Sequence, residues 1–282
     1  MIGALLVDKP AGPTSHDVVA RVRRALGIRA VGHTGTLDPF ATGLLVVLVG
    51  RATRLAKFVE AQAKTYLATV RLGQRTTTDD PTGEPVGDAG DASHLSRAEV
   101  DAAMREFIGT RPQRPPSYSA RRVGGERAYA RARRGEVVEL PETEVTVFGL
   151  ELVSVEPPRV TFRVTVSAGT YVRALARDLG ERLGVGAHLE ALRRESVGPL
   201  RVEDAVGLEA VGPGTRVWPA SAVLSHLPRV TVDERGREDV VHGRPVPGTV
   251  VGTAALLHGG MVIAVAEGDG AWLRPKVVLE TP

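Results

Sequence analysis

The run Leu44-Leu45-Val46-Val47-Leu48-Val49 is apolar at every position, rich in β-branched residues and bounded by Gly50. Such a run reads as a buried central strand, because a half-exposed strand would alternate with polar residues. Upstream, the short apolar run Gly3–Asp8 is stopped by Lys9-Pro10-Ala11-Gly12-Pro13, which reads as a strand feeding a turn. Thr14, Ser15 and Asp17 are capping residue types, and Val18, Val19, Val22, Ala25 and Leu26 follow at helical spacing, predicting a helix that ends near Gly27. Helical periodicity returns over Thr53–Ala61, Ser96–Ile108 and Thr170–Leu183. Thr65–Leu72, Glu144–Val155 and Val160–Val166 alternate or are rich in Val and Thr, as strands are.

These elements follow one another without a regular βαβ repeat. The expectation is an α+β fold: a mixed, mostly antiparallel central sheet flanked by helices and loops. From about Pro228 the chain changes to short Val-rich segments punctuated by Gly and Pro, which predicts a small all-β C-terminal domain. The expected partition is therefore a main domain over 1–225 and a smaller one over 226–282.

Composition removes several function classes. The 282 residues include no cysteine, so thiolate nucleophiles, disulfide frameworks and cysteine-based metal sites are excluded. No stretch approaches the ~18 consecutive apolar residues of a membrane span. The N-terminus lacks the pattern of a secretory signal, so a cytoplasmic protein is expected. The formal charge is only +3, but its distribution is uneven. Between Arg111 and Arg134 there are eight arginines and one acid, Glu126, interleaved with Tyr118 and Tyr129. A phosphate backbone and exposed bases would be drawn to such a segment, which makes a nucleic acid the leading partner class. Asp79–Asp101 carries seven acids and one arginine, and its first half reads as an exposed loop of no special chemistry.

The chain contains no phosphate-binding loop, no H-E-x-x-H, no G-x-S-x-G and no dinucleotide fingerprint. What stands out is Gly32-His33-Thr34-Gly35-Thr36-Leu37-Asp38-Pro39-Phe40-Ala41-Thr42-Gly43, read as a glycine-rich loop between a basic helix and the buried strand. Glycine permits close backbone approach to a ligand, and Pro39 restricts Asp38 to extended conformations, a way to aim one carboxylate into a cleft. Turn chemistry alone would also account for an Asp-Pro in such a loop.

Six segments in order resemble the TruB family of pseudouridine synthases, which isomerise one uridine in the T-loop of tRNA, position 55. Asp8-Lys9-Pro10-Ala11-Gly12-Pro13-Thr14-Ser15-His16-Asp17 is similar to the family's opening motif, and Gly32–Gly43 to its catalytic loop. Lys64-Thr65-Tyr66 resembles the segment with the active-site tyrosine, and Arg114-Pro115-Pro116-Ser117-Tyr118-Ser119-Ala120 the start of an RNA-gripping insertion, about 111–140. Gly169-Thr170-Tyr171-Val172-Arg173 and Gly186–Arg194 match further site segments. The likeness runs from about residue 3 to 200. Arg122 stands where the family usually has lysine, and the C-terminal part is similar to the family's PUA-like tail only in length and composition.

The resemblance implies a pseudouridine synthase fold with a PUA-like C-terminal domain. It also implies a nucleophile at Asp38, a base-stacking tyrosine at Tyr66 whose hydroxyl moves a proton, and Arg173 as the partner of Asp38. Tyr171 would line the pocket, Leu192 would touch the target base through its backbone, and His33 would recognise the T-loop. Arg114, Arg121, Arg122 and Arg127 would contact the RNA backbone. The implied reaction detaches uracil at N1 and rejoins it through C5, with no redox change, metal or cofactor. An aspartate with an ordinary pKa of about 3.9 is ionised at neutral pH and is able to attack carbon. The base must first leave its stack, at a cost of a few kcal/mol. The implied partner is the T-stem-loop of tRNA, met by a monomer with no obligatory protein partner.

Two other readings compete. The basic insertion would bind RNA whether or not Asp38 reacts, so a non-catalytic RNA-binding or RNA-folding protein fits the charge. A hydrolase built from Ser15 or Thr36 with His33 and Asp38 fits the residue types, although no oxyanion or nucleophile-elbow motif accompanies them.

Overall fold

The computed structural model describes residues 1–280 apart from 120, 124–125, 129–130, 132–133, 135 and 137–139, and leaves the side chains of 122, 123 and 127 undescribed. The chain divides into two compact units, one of Met1–Pro39, Gly43–Gln62 and Ser196–Pro282, the other of Phe40–Thr42 and Ala63–Glu195. No helix among the described residues is long and apolar enough to cross a membrane.

In the first unit, β1 (Gly3–Lys9) runs antiparallel to β3 (Thr42–Val49), and β2 (Val31–Thr34) also pairs with β3. The short strand Val206–Gly207 lies parallel to β1, which makes the pairing mixed. Successive strand residues point to opposite faces, and here both faces are dry. Ala4, Leu6, Leu44, Val46 and Leu48 enter one core; Leu5, Val7, Leu45, Val47 and Val49 enter another. Continuous apolarity therefore reflects two separate covers.

One cover is helix α1 (Ser15–Leu26), which buries Val18, Val19 and Val22. Thr14 caps it, its oxygen accepting from Asp17 N, while the Thr14 hydroxyl and N–H both donate to the Asp17 carboxylate and hold it below its ordinary pKa. Gly27 ends it in the left-handed conformation at φ 65°. The other cover includes Val265, Val277 and Leu279 of the C-terminal region. That region forms a five-stranded sheet, as expected, and also carries the helix Glu234–Val241, which composition did not indicate. Leu279→Ala should cost about 2–5 kcal/mol by leaving a cavity in this shared core. At this chain length the loss should lower Tm by about 4 °C or more in a thermal melt.

In the second unit the strand order is Ala187–Val197, β4 (Lys64–Leu72), Arg159–Val166, Thr143–Glu156 and Gly109–Gln113. The last four are joined by antiparallel ladders. Lys64, Tyr66, Ala68, Val70 and Leu72 alternate onto the buried face of β4, and helix Val172–Arg182 packs against that strand. Gly180 allows the approach at the far end of this helix, since a Cβ there would sit 2.3 Å from Ala187 N.

Candidate active site

Asp38 lies in a loop shorter than the sequence suggested. Gly32–Thr34 belong to β2, with His33 opposite Val47, and β3 begins at Thr42, so the connection is Gly35–Ala41. The apolar partner strand extends the ladder into the glycine-rich segment, and positive φ is needed only at Gly35 (74°) and Gly43 (99°).

The peptides on both sides of Asp38 are pinned by the Lys9–Ser15 segment. Buried Ser15 Oγ accepts from Leu37 N at 2.9 Å and donates to Leu37 O at 3.1 Å. On the other side, Pro39 O accepts from Gly12 N at 2.8 Å and from Lys9 Nζ at 3.2 Å, and this fully buried ammonium also donates to Pro10 O. A carboxylate between two anchored neighbours is pre-organised, at little cost when the reaction occurs. With its hydroxyl doubly engaged by Leu37, Ser15 is a brace for the loop rather than the nucleophile of a hydrolase. Ser15→Ala should slow single-turnover product formation about tenfold while RNA affinity, read by filter binding, stays within twofold.

Asp38 and His33 belong to the first unit; Tyr66, Tyr171, Arg173 and Leu192 belong to the second. Within the second, these four occupy adjacent elements. Tyr66 is 7% exposed on β4, and Leu192 lies on the neighbouring strand, its carbonyl accepting from Thr42 Oγ1 at 3.4 Å. Tyr171 caps the helix that packs on β4, and its backbone N–H and C=O are both held by the Gln113 side chain at 2.8 and 3.1 Å.

Arg173, two residues on, is 5% exposed and forms a buried ion pair with Asp80 at 3.1 Å. Its guanidinium also donates to Thr78 O at 3.0 Å and Tyr118 O at 2.9 Å. Asp80 in turn accepts from Thr78 Oγ1, Thr82 N and Thr82 Oγ1. Reading the start of Asp79–Asp101 as an exposed loop without chemistry was therefore wrong. Asp80 is 4% exposed, and Asp79, held at φ 58°, pairs with Arg177 at 3.1 Å and accepts from Leu189 N. Burial pushes the Asp79 carboxyl above its ordinary pKa, with Arg177 opposing. The missed signal was the run Thr76-Thr77-Thr78-Asp79-Asp80-Pro81-Thr82, in which hydroxyl residues flank an acid they can hydrogen-bond. Counting acids marked the segment as solvated; counting local donors would have marked it as built.

The arginine-rich insertion is partly neutralised by its own acids. Arg134 pairs with Glu126 and Glu136, and Arg131 with Glu136, just beyond the segment whose charge was counted. Arg114 has an exposed side chain 3.8 Å from Glu142, and Arg121 donates to Thr143 Oγ1 at 3.1 Å. Arg122 and Arg127 face each other in a two-stranded hairpin, and their side chains lie outside the described residues. Tyr129 lies outside them too, whereas Tyr118 packs on Ala128 and Leu140.

Residues 23–172 match the family model described as TruB family pseudouridylate synthase (N terminal domain), and 173–230 match tRNA pseudouridylate synthase B C-terminal domain. The chain is 49% identical to tRNA pseudouridine synthase B of Thermobifida fusca (strain YX), over 98% of both chains. It is 46% identical to the protein of that name from Nocardia farcinica (strain IFM 10152), over 98% of this chain and 93% of the other. Among solved structures, a chain of a Cbf5-Nop10-Gar1 complex superposes with a TM-score of 0.77 at 28% identity, over 99% of this chain and 85% of that one. A chain of the archaeal box H/ACA sRNP Nop10-Cbf5 complex gives 0.76 at 26% identity, over 99% and 86%. With both family models matching in tandem, and relatives aligned from end to end, the chain belongs to the TruB family of pseudouridine synthases.

Proposed function

We propose that this protein converts the T-loop uridine at tRNA position 55 to pseudouridine. The observation that carries the reading is Asp38 held between two anchored peptides, in a chain whose relatives over 98% of its length are tRNA pseudouridine synthases B. The uridine leaves its stack and is held on Tyr66 by roughly 1–3 kcal/mol of stacking. The carboxylate of Asp38 attacks C1′ as the N1–C1′ bond breaks; the freed uracil turns, and C5 bonds to C1′ as the Asp38 oxygen leaves it, restoring the carboxylate. The C5 proton leaves to a base, the role this reading gives to the Tyr66 oxygen, and N1 ends protonated, so product and substrate are isomers. Arg173, fixed by Asp80, supplies the cation facing the reacting carboxylate, and Tyr171 and the Leu192 backbone line the base pocket. His33 reads the T-loop, and Arg114, Arg121, Arg122 and Arg127 hold RNA phosphates.

In this reading 1–225 is the catalytic domain, with its RNA-gripping insertion at about 111–140, and 226–282 is PUA-like. The protein works as a cytoplasmic monomer without a protein partner. Mapping pseudouridine in an unmodified tRNA transcript, without added cofactor or metal, tests the reading. Product at the T-loop uridine alone is expected. A bound but unchanged transcript would leave the RNA-binding reading in its place.

A further inference from the structure

A second cationic face lies in the first unit. Between Val18 and Val59 there are seven basic residues and a single acid, Asp38. Six of them, Arg23, Arg24, Arg29, Arg51, Arg54 and Lys57, are exposed. Folding gathers them. Arg23 donates to Val31 O at 2.8 Å, and Gly50 N donates to Ala30 O at 2.7 Å, which sets Arg29 beside Arg51. Arg51, Arg54 and Lys57 recur every third residue along a 3-10 turn and the helix that continues it, a spacing that stacks side chains on one side, and the series ends at the exposed acid Glu60.

What marks this face is how many cations it gathers with so little counter-charge, Glu60 being the acid beside Lys57. Many other surface arginines pair with carboxylates: Arg21 with Glu209, Arg105 with Asp101, Arg159 with Glu190, Arg182 with Glu106, Arg237 with Glu280 and Arg274 with Asp269. Among the described residues none of the six forms an ion pair. Arg51 and Arg54 donate to the carbonyls of Leu279 and Val278, which orients them without neutralising them, and Lys57 lies over the ring of Phe58. Arg23 and Arg24 complement the C-terminal end of α1, but that needs one cation, not six.

The face sits at the Val31 and Val49 ends of β2 and β3, whereas the Asp38 loop joins their other ends. An eight-residue strand spans about 25 Å, well beyond the nucleotides next to a flipped base. We propose that this face binds the sugar–phosphate backbone of the tRNA substrate at a segment outside the T-stem-loop. It contributes to capture of the whole tRNA and not to the chemical step. This rests on the reading of the protein as a tRNA synthase.

The test uses the full chain carrying Arg24→Gln, Arg29→Gln and Lys57→Gln together, three exposed side chains with no hydrogen bond to the fold. Full-length tRNA should bind at least about tenfold more weakly at ~0.1 M salt, and the slope of log affinity against log salt should fall by about two. The single-turnover rate at saturating tRNA, and the affinity for an isolated T-stem-loop, should stay within twofold, with an unchanged thermal melt as the control for folding. Unchanged tRNA affinity and slope would overturn the proposal and point to an acidic protein surface as the occupant. Equal weakening toward the isolated stem-loop would overturn the placement outside it. A wild-type protein that forms no pseudouridine would instead sink the underlying functional reading.

Discussion

Asp38→Ala is expected to abolish pseudouridine formation, by about four orders of magnitude or more in single-turnover rate, while tRNA affinity stays within twofold. A side chain that forms and breaks a covalent bond in the transition state has no substitute in the pocket, so its loss appears wholly in the chemical step. Affinity is set elsewhere, by phosphate contacts and their release of counterions. The surroundings of Asp38 make the variant clean. Leu37 is held by Ser15, and Pro39 by Gly12 and Lys9, through backbone atoms that the substitution does not touch. Filter binding and a tritium-release or mapping assay on one preparation check both halves. Residual turnover within a hundredfold of wild type would remove Asp38 from the nucleophile's role.

Asp80→Ala should produce the largest loss of stability among single polar substitutions in the second unit. Arg173 would keep its charge in a site 5% exposed with the Asp80 carboxylate gone, and breaking one side of a buried pair costs about 3–5 kcal/mol. Thr78 and Thr82 would lose an acceptor as well. Thermal or urea unfolding measures the drop, and the rate of pseudouridine formation should fall with it, because Arg173 would no longer be held by a second carboxylate. Asp80→Asn, which keeps an acceptor and the shape, should lose about half as much stability or less while remaining slow. An Asp80→Ala protein as stable and as active as wild type would mean that the pair is incidental to both fold and site.

How far the sequence reveals this protein depends on the range of the interactions concerned. α1 was legible, because its capping residues Thr14 and Asp17 and its stop Gly27 act locally at its two ends. β4 and its partner strand were legible from alternation, and β3 from its unbroken apolarity. Asp38 stood out because glycine and proline shape its surroundings locally. The bracing of Asp38 by Ser15 and Lys9 was not legible, since it runs between segments more than twenty residues apart and leaves no periodicity. Nor was the Asp80–Arg173 pair, whose members are 93 positions apart and whose acid sits in a stretch that looks solvated. The folded chain supplies what composition inverts: an acid-rich segment contributes a buried anchor, and an arginine-rich one neutralises part of itself.

The two covers of the β1–β3 ladder have a consequence for synthesis. One, α1, leaves the ribosome between the two strands it shields; the other includes Val277 and Leu279. The strands that carry the Asp38 loop are thus translated early and fully sealed late, with one oily face incompletely covered until Trp272–Val278 emerges. Nascent and prematurely terminated chains should accordingly be chaperone clients and protease substrates rather than partially competent enzymes, a built-in check that only finished protein reaches RNA.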